Sequence, residues 1–140
     1  PDDVFTDVLE MRETMYSYGF YGPFVVYTST GYDLYLDRFF TVGTSAQGLA
    51  APSTTLRRTI EGIEGISAVR RLDFLTSGFQ MIMVQMTSDV AQAVNGMDVT
   101  TVQWPEMGGL KQKFRVMAIQ TPLLRRNYAG VTGIIHGTTS

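Results

Sequence analysis

The sequence predicts a two-layer α+β domain, and three observations carry that expectation. Apolar residues recur at helical spacing over the first eighteen positions. Several later runs are β-branched and aromatic between Gly, Pro, Ser and Thr. Finally, Pro105-Glu106-Met107-Gly108-Gly109 separates two β-rich arms in the manner of a hairpin loop.

The elements follow in chain order. Asp2 and Asp3 offer N-capping carboxylates to a helix whose face is Val4, Phe5, Val8, Leu9, Met15 and Tyr16, with Gly19 as its stop. Tyr21 to Tyr27 predicts a buried strand. Tyr32 to Phe40, with Asp33, Asp37 and Arg38 between apolar residues, predicts a short helix, and Thr41 to Ser53 a projecting loop of Gly, Ser, Thr and Ala. Ser53 or Thr54 then caps a helix carrying Leu56, Ile60 and Ile63, which Gly62 and Gly65 interrupt. Strands Ile66–Leu72 and Phe79–Met86 flank the turn residues Thr76-Ser77-Gly78 and are expected to pair as a hairpin. Val90 to Met97 predicts a short helix or helical turn ending near Gly96, behind the cap Thr87-Ser88-Asp89. Val99–Trp104 and Leu110–Thr121 form the main hairpin, and Val131 to His136 a last apolar segment.

Composition narrows the function classes. With 140 residues, 44% hydrophobic and 17% charged, the chain suits one core, and its 8 Phe and 7 Tyr suggest more apolar surface than one small domain hides. A net charge of −2 supplies no field for a nucleic-acid backbone, and the lack of Cys excludes disulfides and thiolate metal sites. The apolar runs are shorter than the ~20 residues of a membrane helix. A start at Pro1-Asp2-Asp3 is that expected of a processed product or a piece of something longer.

Catalytic, cofactor-binding and metal-binding residues are not expected. A proton shuttle would have to be His136, the single His, in a strand-like terminal segment. Asp2, Asp3, Asp33, Asp37, Asp89, Asp98 and Glu106 fall in caps and turns, without calcium-loop spacing. Gly108-Gly109-Leu110-Lys111 lacks the frame of a phosphate loop and reads as a turn. Met81 and Met83 share one side of a strand and suit core packing or a subunit seam. Trp104, before Pro105, is either an interface anchor or a local buried contact. Arg125, Arg126 and Tyr128 form either a clamp between subunits or a solvated turn. Lys111, Lys113 and Arg115 alternate with Gln112, Phe114 and Val116, so one strand face carries three cations.

Tyr21-Gly22-Pro23-Phe24-Val25-Val26-Tyr27 followed by Tyr32-Asp33-Leu34-Tyr35-Leu36 resembles a passage of encapsulin shells and of the capsid proteins of tailed double-stranded DNA phages. The likeness continues through a helix with Leu56-Arg57-Arg58, the segments Ile63–Leu72 and Phe79–Met86, and the hairpin holding Gln103-Trp104 and Lys113-Phe114-Arg115-Val116. It spans nearly the whole chain and matches the C-terminal half to two-thirds of such a subunit.

That resemblance implies the Hong Kong 97-type fold. Residues 1–18 would end the spine helix, 19–97 form the axial domain, 98–121 the peripheral-domain hairpin, and 122–140 return to the axial domain. It implies a non-enzymatic subunit of an icosahedral shell, built as pentamers, and hexamers where the shell contains them, without cofactor, metal or membrane. The shell would enclose double-stranded DNA without sequence-specific contacts, contact other virion proteins, and assemble in the host cytoplasm into the virion. Thr41, Gly43, Gly48 and Ser53 would lie near a pore. The long Thr41–Ser53 stretch and the Thr87–Met97 connection favour a phage shell over an encapsulin. A small α/β ligand-binding or enzymatic domain is the remaining alternative.

Overall fold

The computed structural model describes residues 2–41, 53–75 and 78–138. Helix α1 (Asp2–Ser17) leads to strand β1 (Phe24–Thr28), then α2 (Asp33–Leu36), β2 (Phe39–Thr41), β3 (Ser53–Thr55) and α3 (Leu56–Glu61). Four strands and a turn complete the chain: β4 (Ile66–Arg71), β5 (Gln80–Gln85), β6 (Ala91–Glu106) and, after Met107–Gly109, β7 (Lys111–Leu124); β8 (Ile134–Thr138) is last. The protein is therefore mixed α+β.

The main sheet has the order β4-β1-β5-β8, with β1 parallel to β4 and antiparallel to β5. Its central strand β1 is the Phe-Val-Val-Tyr-Thr run, and Phe24, Val25, Val26 and Thr28 are buried, as a strand with neighbours on both edges requires. Strand β5 instead alternates, turning Met81, Met83 and Gln85 inward, so these two methionines belong to the core. Helices α1 and α3 cover this inner face with Val8, Met11 and Met15 and with Leu56 and Ile60. Gly65 adopts φ +90°, and a Cβ there would meet the Tyr16 hydroxyl at 2.9 Å. Only glycine satisfies both demands while its carbonyl accepts the Phe24 N–H at 2.8 Å.

Several expectations change. β4 and β5 do not pair as a hairpin, because β1 lies between them; Thr76 and Ser77 of the expected turn lie outside the described residues. In place of the expected short helix or helical turn over Val90–Met97, only Val90 ends a turn, and from Ala91 the chain is the start of β6, held in register by Gln120–Leu124 across the ladder, a partner no local signal reveals. The helix over Tyr32–Phe40 is a 3-10 turn at Thr30–Tyr32 plus the single turn α2, after which Phe39 enters β2. The cap of α3 is Thr55, whose hydroxyl accepts the Arg58 N–H, and not Ser53 or Thr54, which pair with β2. Thr41 and Ser53 face each other as the ends of β2 and β3; Gly43, Gly48 and the rest of the expected pore loop lie outside the described residues.

Candidate assembly interface

β6 and β7 form a sheet of their own. Fourteen residues of β7 at ~3.4 Å each make a ribbon of ~45 Å. From Ala91 to Leu124 every residue is exposed except Met97 and Glu106, which are half-buried. The paired length runs beyond 98–121 at both ends. Pro105 and Glu106 belong to β6, and the turn proper is Met107 to Leu110, where Met107, Gly108 and Gly109 all take positive φ.

Cross-strand register sorts the ribbon's side chains. One face pairs Lys111 with Glu106, Lys113 with Trp104, Arg115 with Val102, Met117 with Thr100, Ile119 with Met97 and Thr121 with Val94. It is cationic at the tip and apolar at the root. The opposite face carries Phe114 against Gln103 and Val116 against Thr101, and these two apolar side chains are 63% and 65% exposed. Two register shifts, between Asn95 and Met97 and between Met97 and Thr100, each place an extra residue on β6 and so strengthen the local twist.

A two-stranded ribbon is marginal alone in water, and among the described residues no further strand pairs with either of its outer edges. Pro105 and Pro122 are tolerated in β6 and β7 because each strand has a free edge. Exposed apolar residues on both faces complete a surface suited to burial against protein.

The residues singled out from the sequence do not gather at one point. Trp104 lies near the tip, 40% exposed and opposite Lys113. Arg125 lies at the root, where its N–H donates to the Val90 carbonyl at 2.9 Å and its guanidinium to Gln92 Oε1 at 2.8 Å. Arg126 bridges to Thr132, and Tyr128 is fully exposed in the following turn, beside Tyr18 and Tyr21 of the α1 end. Arg125 and Trp104 therefore lie at opposite ends of the ribbon. Sequence reading missed Val94, Ile119 and Leu123 as members of the same surface; the available signal was the apolar excess of both arms, once Val90–Met97 is read as strand.

Elsewhere, charge is organised for structure. Asp33 accepts from Arg71 at 2.7 Å and Arg57 at 3.4 Å; Arg57 also donates to Asp37 at 3.0 Å, and Arg71 to Asp73 at 2.8 Å. The hydrogen bond that Arg71 donates to Asp33, and then the charge of Asp73, push the Arg71 pKa up from its ordinary value. Asp33 and Asp37 thus tie α2 to α3 and β4 beyond any capping role. His136 lies on the edge strand β8, 3.3 Å from Gln80 Oε1, at the rim of a cleft of about 320 Å³ that Asp7 and Glu10 also line. Among the described residues no group of three or more His, Asp or Glu side chains is placed to hold a metal.

The described residues thus define a small α+β core that carries an uncovered β-ribbon. No protein-family model matches the chain, and no curated protein matches it. No helix is long and apolar enough to cross a membrane among the described residues.

Proposed function

We propose that this chain is a structural subunit of a self-assembling icosahedral shell, with the Hong Kong 97-type fold of tailed-phage capsid proteins. The observation that carries the reading is the β6–β7 ribbon, with both edges unpaired among the described residues and both faces partly apolar. Burial in an assembly removes the cost of exposing it, and closed shells need such heterologous contacts. The element order supports the same reading: a helix, a mixed sheet, an excursion into a long hairpin, and a final strand back in the sheet. In this reading residues 1–18 close the spine helix, 19–97 and 122–140 build the axial domain, and 98–121 lie in the peripheral domain.

The subunit performs no chemical step, and its mechanism is geometry. Pentamers, and hexamers where the shell contains them, enclose double-stranded DNA in a virion assembled in the host cytoplasm. The segment between Thr41 and Ser53 lines an opening of the shell, so its deletion is expected to widen that opening; an unchanged opening and normal particles would refute this placement.

Light scattering with negative-stain imaging tests the reading on the purified chain and on any longer parent. Hollow megadalton particles are the expected result. Strictly monomeric behaviour of both at high concentration would overturn it.

A further inference from the structure

Two surfaces of this molecule match in charge and overall span without an ion pair between them among the described residues. On β7, Lys111, Lys113 and Arg115 share a face at every second residue, a repeat of ~7 Å and a span of ~14 Å. Glu106, opposite Lys111, bonds only Lys113, at 2.8 Å; Lys111 and Arg115 have no ion-pair partner among the described residues.

On α1 the exposed residues from Asp3 onward are Asp3, Thr6, Glu10, Glu13, Thr14 and Ser17. At ~100° per residue they fall within an arc of roughly 100°, and Asp3 to Glu13 rises ~15 Å. Three carboxylates are thus strung along the outer stripe over the length of the three cations on β7. The hydroxyl residues between them are short and leave room for Trp104, which projects from the cationic face beside Lys113. Glu13 is held by Arg12 at 2.9 Å, an exposed pair that competes weakly. Among the described residues no ion pair joins the hairpin to α1, so a contact between these surfaces is a contact between copies.

We propose that the cationic face of the hairpin tip docks on the acidic stripe of α1 in a second copy of this chain. The proposal rests on the shell-subunit reading and names the two surfaces that meet. The stripe and the tip belong to different elements and each copy offers both, so within the shell reading the contact runs heterologously from one copy to the next around a ring.

Charge swapping tests it. One variant carries Lys111→Glu, Lys113→Glu and Arg115→Glu; a second carries Asp3→Lys, Glu10→Lys and Glu13→Lys. Three exposed pairs turned repulsive weaken association roughly 30-fold or more, so each variant alone is expected to fail to assemble at concentrations where the wild type assembles. A single chain carrying all six substitutions is expected to restore particles, since each reversed surface then finds its complement on the next identical copy, in odd rings as in even ones. Circular dichroism and urea midpoints confirm that each variant is folded. If the wild type assembles and both folded variants assemble equally well, or the folded six-substitution chain gives no particles, the docking is wrong while the shell reading stands. A monomeric wild type overturns both.

Discussion

Gly133→Ala probes the joint between the sheet and the hairpin. A Cβ at Gly133 would lie 2.5 Å from Val90 Cγ2, 3.0 Å from Val90 Cγ1 and 3.2 Å from Phe20 Cδ1. Nonbonded carbons rest at about 3.5–4.0 Å, so the overlap with Val90 is about 1 Å. Neither side retreats easily. The Gly133 carbonyl accepts the Gln85 N–H at 3.0 Å, while the Val90 N–H donates to Thr87 at 3.1 Å and its carbonyl accepts from Arg125 at 2.9 Å. With both Val90 methyl groups close, rotating χ1 exchanges one clash for another. The φ of Gly133 is outside the left-handed region, so the cost is packing alone, about 1–3 kcal/mol. Urea unfolding reads it as a lower midpoint at unchanged slope. Val90→Ala, which removes the buried γ carbons, costs about 1.5–3 kcal/mol by itself. The double variant is expected to cost less than the two singles together by about 1 kcal/mol or more, because alanine at 90 makes room for the methyl at 133. A Gly133→Ala protein within about 0.5 kcal/mol of wild type, or strict additivity in the cycle, would refute this account of the joint.

Thr28 is buried and its hydroxyl has no hydrogen-bond partner among the described residues, so Thr28→Val is expected to raise the urea midpoint by about 1 kcal/mol equivalent; a loss of stability would mean that the hydroxyl is satisfied. Asp33→Ala removes the carboxylate shared by Arg57 and Arg71. The pairs are only partly buried, so the loss is about 1 kcal/mol at low salt and shrinks in 1 M NaCl; a salt-independent loss would point to packing instead. Trp104→Ala and Arg125→Ala are expected to reduce particle yield while leaving the unfolding midpoint of the chain within about 0.5 kcal/mol. Unchanged yield from both would remove these residues from the interface.

Legibility in the sequence followed the range of the interactions. α1 was readable because its apolar residues repeat within a turn of one another, and the main hairpin because Gly108 and Gly109 mark a turn that needs positive φ. What local pattern could not show was pairing at a distance. β1 enters between β4 and β5 as the most buried strand, and nothing near residues 66–86 announces it. Val90–Met97 has small apolar residues suited to a helix, yet their partners lie near residue 120, and the ladder outweighs local propensity. The candidate surface was half visible: the alternation of Lys111, Lys113 and Arg115 names a face directly. The acidic stripe of α1 is equally periodic, but it carries meaning only once the buried side of the helix is known.

The chain leaves the main sheet at the end of β5 and returns to its edge as β8, and the hairpin is spent entirely in between. At the point of departure Val90 and Arg125 are already joined by a backbone hydrogen bond. For the sheet, residues 91–124 are therefore a closed excursion whose length enters only through loop entropy, about 0.6 kcal/mol for each doubling. Lengthening, shortening or reshaping the ribbon changes what the molecule can reach without asking the core to change with it. Reach and stability are thus separately adjustable properties of this chain, divided at a single pair of backbone atoms.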